Sequence, residues 1–76
     1  MIKQKNNEIG AKLKYYRKQK AIKQSTIAEK LKVSLSYISK IENGKMPIYL
    51  MLFLKYCNVL DIPPSELIDS LKDLLL

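Results

Sequence analysis

Apolar residues recur at spacings of three and four along almost the whole chain, and nowhere alternate at spacing two for long enough to build a sheet. That periodicity belongs to helices that bury one face. Glycine and proline number only two and three among 76 residues, so little interrupts the pattern. The expected architecture is all-α, and the expected organisation is one domain spanning residues 1–76, because two cores cannot be enclosed by this length.

Five helices are expected. The first runs from about Glu8 to Lys20, with Ile9, Leu13 and Tyr16 on one stripe and Lys12, Lys14, Lys18 and Lys20 elsewhere on the wheel. Ala21-Ile22-Lys23 breaks the pattern. A second helix, about Gln24 to Leu31, aligns Ile27, Ala28 and Leu31, and a third, about Leu35 to Asn43, aligns Ile38 and Ile41 before an Asn43-Gly44 stop signal. Beyond the Lys45-Met46-Pro47 turn, Leu50, Phe53, Leu54, Cys57 and Leu60 mark a fourth helix, about Ile48 to Leu60, that is apolar on more than one side. Asp61-Ile62-Pro63-Pro64 ends it. A fifth, Ser65 to Leu75, aligns Leu67, Ile68, Leu71, Leu74 and Leu75, with Ser65 and Glu66 suiting the positive end of its dipole.

The second and third helices are short, are joined by Lys32-Val33-Ser34, and leave polar residues on the outer face of the third. That is the layout of a helix-turn-helix, over about residues 24–43. Both helices need apolar residues where they face inward, and Ile27, Leu31, Val33, Ile38 and Ile41 occupy those places. Ala28 supplies the small residue where the helices cross.

These stretches also resemble the Cro and lambda-repressor-like group, the XRE-type transcriptional regulators. The resemblance rests on Ile9-Gly10 with Leu13 and Arg17, on Gln24 with Ile27-Ala28-Glu29-Lys30-Leu31, and on Val33-Ser34 leading to the run Tyr37 to Lys45. Leu60, Ile62, Glu66 and Leu67 resemble the family's ending, so about Ile9 to Ile68 is covered. It implies a compact five-helix, repressor-like DNA-binding domain that docks as a dimer on a palindromic operator. It also implies a structural ion pair between Arg17 and Glu42, with an Arg17–phosphate contact as the alternative, and a phosphate contact at Gln24. Two departures stand out: Lys23 and Thr26 lack the family's reciprocal cap, which leaves Ser25 to cap the second helix, and Lys32 replaces the glycine of the turn.

Charge points the same way. Lys and Arg total 14 against 7 Asp and Glu, a net charge of +7. Residues 1–45 hold twelve basic side chains against Glu8, Glu29 and Glu42, whereas the remainder is net acidic. A basic half suits a polyanion, although a solvated lysine-rich surface has the same composition. With the third helix in the major groove, Ser34, Leu35, Ser36, Ser39 and Lys40 fall against base edges. Lys40 can equally meet phosphate, and Ser34 can cap its helix. Lys23, Gln24, Tyr37, Asn43 and Lys45 flank the groove as phosphate candidates, Tyr37 alternatively packing under the turn.

The absence of histidine, of a phosphate-cradling glycine loop and of paired catalytic carboxylates argues against an enzyme, and no cofactor or metal is expected. Cys57, alone, permits no internal disulfide and falls on an apolar stripe. The longest apolar run, Ile48 to Leu54, is seven residues, too short to span a membrane. The N-terminal Met1 to Asn7 lacks a following apolar stretch, so the cytoplasm is the expected compartment. The fifth helix carries more apolar residues than a small monomer needs. Ile48, Met51, Leu52, Ile68, Leu71, Leu74 and Leu75 are therefore expected at a self-complementary homodimer interface, the alternative being that the fifth helix only closes the monomer core. The expected function is a sequence-specific double-stranded DNA-binding transcriptional regulator, a repressor. The alternative is a protein-interaction module, such as an antitoxin or anti-repressor, that holds a protein partner on its C-terminal apolar surface.

Overall fold

The computed structural model describes residues 5–71, with side chains from residue 8. It contains five helices: α1 Lys5–Gln19, α2 Gln24–Leu31, α3 Leu35–Glu42, α4 Leu50–Leu60 and α5 Pro64–Ser70. No strand occurs among the described residues. Both α1 and α2 pack on α3 and α4, and α5 packs on α4. The fold is the expected all-α arrangement. Leu74 and Leu75, and the stretch of α5 expected beyond Leu71, lie outside the described residues.

Leu13, Ile27, Ile38, Ile41, Tyr56, Leu60 and Leu67 are fully enclosed, so every helix contributes to one core. The approach of α1 to α3 is close enough to exclude any side chain at Gly10. A Cβ built there would stand 2.0 Å from the carbonyl oxygen of Ile41.

Helix ends are made without glycine at three of four turns. Ala21, Lys32 and Asp61 each take the left-handed conformation, with φ of 57°, 60° and 59°. In each case the next residue's N–H returns to the helix: Ile22 to Arg17, Val33 to Ala28 and Ile62 to Cys57, at 3.0–3.1 Å. That next residue is apolar and packs on the core, which offsets the strain of a side chain in this region. Only α3 ends on glycine, Gly44 at φ 76°.

Several sequence expectations are corrected. Ser25 does not cap α2; the helix begins at Gln24 behind Lys23, which makes no side-chain cap. α4 begins at Leu50 rather than Ile48, since Tyr49 is extended and Ile48 is drawn toward the core before the helix starts. The buried stripe of α4 is Leu52, Phe53, Tyr56, Cys57 and Leu60, so Leu50 and Leu54 face outward instead of inward. A helix apolar on both sides does not choose its own rotation; its neighbours choose it. Leu52 (4% exposed) and Leu71 (5%), both expected at a dimer interface, are buried in this chain's own core.

Candidate nucleic-acid interface

α3 is amphipathic in the simplest way: Ile38 and Ile41 point inward, and Ser36 and Lys40 stand in solvent. Its start is fixed by Ser34, whose Oγ accepts from the backbone N–H of Tyr37 at 3.0 Å. Its end is fixed by Gly44 and by the Lys45 N–H, which donates 2.8 Å back to the carbonyl of Lys40. Leu35 is exposed at the first turn, an apolar side chain with no place in the core. Ser39 is half-buried and its Oγ accepts from Asn43 Nδ2 at 3.4 Å, while Tyr37 is half-buried against the core. Lys23, Asn43 and Lys45 are exposed. All ten residues nominated for DNA therefore lie along α3 or at its two flanks, the start of α2 and the turn after α3.

What holds α3 in place is a buried charge. Glu42, its last residue, is 3% exposed, and a carboxylate so enclosed must be paired and fully hydrogen-bonded. Arg17 of α1 grips it with two of the three arms of the guanidinium, Nε to Oε2 at 2.8 Å and Nη2 to Oε1 at 2.9 Å. The third arm, Nη1, donates to the carbonyl of Ile22 at 2.7 Å. Gln24 Nε2 donates to Oε1 at 3.0 Å, and the Tyr56 hydroxyl donates to Oε2. Four donors thus meet the roughly four acceptor sites of one carboxylate. Burial alone would raise the Glu42 pKa, but the hydrogen bonds from Arg17, Gln24 and Tyr56, with the Arg17 charge, outweigh it and hold the carboxyl below its ordinary range. The Arg17 pKa is raised, chiefly by its bond to Glu42. Burial first, and Glu42 second, raise the Tyr56 phenol, so it stays protonated and donates.

Tyr56 is not among the residues expected from the sequence: counting i+3 and i+4 from Phe53 reaches Tyr56 and Cys57 together, which signals a buried position but not a bond to Glu42. Cys57 itself is fully buried, and burial pushes its thiol up to about 11, so at neutral pH it is an unreactive core residue.

A helix-turn-helix domain family matches residues 10–70, from the glycine at the α1–α3 crossing to the end of α5. The chain belongs to the XRE-type helix-turn-helix family. The restriction-modification controller protein C.AhdI from Aeromonas hydrophila is similar at 32% identity and a TM-score of 0.76, over 82% of this chain and 94% of that one. The clp gene regulator ClgR from Corynebacterium glutamicum is similar at 25% identity and 0.79, over 83% and 82%. No curated protein matches. The fold is thus that of a helix-turn-helix DNA-binding transcriptional regulator, a family of regulators rather than enzymes. Within the described residues, no helix is long and apolar enough to cross a membrane.

α2 packs on α3, and the turn through left-handed Lys32 joins them. Apolar side chains of α4 and α5 are also exposed. Leu50 and Met51 are 67% and 59% exposed, and Ile68 is 45% exposed. Beside them Ile9, Ile48, Leu50, Phe53, Ile68 and Leu71 line an open cavity of about 370 Å³.

Proposed function

We propose that this chain is a sequence-specific double-stranded DNA-binding regulator, a repressor acting in the cytoplasm as a homodimer on a palindromic operator, with residues 1–76 as its one domain. The observation that carries the reading is the polar outer face of α3, capped at Ser34 and anchored at Glu42. Ser34, Leu35, Ser36, Ser39 and Lys40 read base edges, Lys40 donating to guanine and Leu35 meeting a thymine methyl. Lys23, Gln24, Tyr37, Asn43 and Lys45 meet phosphates and set the register. The net charge of +7 supports the electrostatic part of the affinity. C.AhdI and ClgR are regulators by name, which supports the same role here. Repression follows by occupancy, a bound dimer excluding polymerase.

Ile48, Leu50, Met51 and Ile68 form the dimer surface. A monomer leaving them in water would expose a contiguous apolar patch, and a two-fold pair buries it on both copies while presenting two α3 helices to one face of the duplex.

Titrating a labelled duplex with the protein at rising salt tests the reading. The logarithm of the association constant should fall linearly with the logarithm of salt concentration, as phosphate neutralisation requires. Absent or salt-insensitive binding would overturn it and would favour a protein partner for the apolar surface.

A further inference from the structure

Gln24 and Tyr56 donate to opposite oxygens of one carboxylate. Gln24 is the first residue of α2, half-buried, with Nε2 on Glu42 Oε1 at 3.0 Å. Tyr56 lies in the middle of α4, fully buried, with its hydroxyl on Glu42 Oε2. Each oxygen of Glu42 also takes one arm of Arg17. An amide nitrogen carries two N–H groups. One of Gln24's is spent on Glu42, which leaves the other to donate to an anion at the start of α2, where the helix N–H groups favour negative charge.

We propose that Tyr56 is a positioning residue for DNA binding, acting through Glu42 to set the Gln24 amide against a backbone phosphate. The inference rests on the regulator reading above and names a residue that it does not use. Arg17 alone holds the carboxylate at two points, but both of its bonds come from one side of the pair. The Tyr56 hydroxyl holds Oε2 from α4 and stops the carboxylate turning about the guanidinium. Oε1 then stays where Gln24 needs it. Without the hydroxyl, Oε2 has an empty acceptor site in a sealed environment, and the carboxylate moves to recover a donor. Gln24 moves with it, out of register with the phosphate.

The test is a double-variant cycle on the full chain, with Tyr56→Phe, Gln24→Ala and the pair, read by titration of a labelled duplex at several salt concentrations. Tyr56→Phe is expected to weaken binding roughly threefold to tenfold, the worth of one hydrogen bond. The loss should be about equal on every duplex sequence, as for Gln24→Ala, and the salt slope should stay unchanged in both variants because neither side chain carries charge. In the Gln24→Ala background, Tyr56→Phe should have no further effect. A merely structural role makes the two losses multiply, and that result overturns the inference, as does wild-type binding by Tyr56→Phe. Should that variant not fold, Asp61→Gly relieves the left-handed residue at the end of α4 and supplies a more stable background for the same cycle. If the unaltered protein binds no duplex, the regulator reading itself fails; binding with an uncoupled Tyr56 overturns this inference alone.

Discussion

Gly10 and Glu42 are the two residues on which α3 depends most. An alanine in mid-helix normally gains up to about 1 kcal/mol over glycine. At Gly10 the added carbon would lie 2.0 Å from the Ile41 carbonyl oxygen, so α1 and α3 must separate. Gly10→Ala is therefore expected to lose about 2 kcal/mol or more in urea unfolding; an unchanged or raised stability would mean that the crossing is looser than described. Glu42 gives a prediction in pH. It holds its proton less tightly in the folded chain than in the unfolded one. Its contribution to stability is therefore complete above the ordinary glutamate range and is lost as pH falls through the lower folded value. Glu42→Gln should lower the melting temperature at neutral pH, because Arg17 is left buried without its counter-charge, and should flatten the fall in melting temperature on acidification. An acid limb equally steep in the variant would assign it to other carboxylates. Arg17 and Glu42 could be paired from the family resemblance, but nothing in their spacing predicts a fourth donor from Tyr56. Convergence in space across α1, α2, α3 and α4 leaves no local trace in the sequence.

At the scale of elements, the sequence was most legible where periodicity and turn chemistry agreed. The helix-turn-helix spacing placed α2 at about residues 24–31, where it is found, because Ile27, Ala28 and Leu31 share one buried face. It was least legible where two faces were equally apolar, as in α4, whose rotation depends on Tyr56 reaching Glu42. Helix ends were partly hidden because Ala21, Lys32 and Asp61 do the work usually given to glycine. The signal that was present is the apolar residue after each one, Ile22, Val33 and Ile62, which pins the turn to the core. Lys32→Gly should raise stability by about 0.5–1 kcal/mol, the relief of left-handed strain less the entropy that glycine loses on folding. A fall in the urea midpoint would show that the Lys32 side chain contributes more than its backbone costs.

For the molecule as a whole, the proposed function assigns the basic N-terminal part of the chain to DNA and the exposed apolar residues of α4 and α5 to a second copy. Composition suggested both, but which apolar residues remain exposed depends on the monomer core, which takes Leu52 and Leu71 and leaves Leu50, Met51 and Ile68. Leu50→Asp is the clean probe, since a residue 67% exposed can change without disturbing the fold. It should give a folded monomer in sedimentation and weaken operator binding through lost avidity; an intact dimer would move the interface elsewhere. Whether α3 reads sequence on behalf of a dimer is decided by selecting duplexes from a random library with the purified protein. An enriched inverted repeat, with half-sites about one helical turn apart, is the predicted result. Enrichment of no sequence, or of a single unrepeated site, would contradict it.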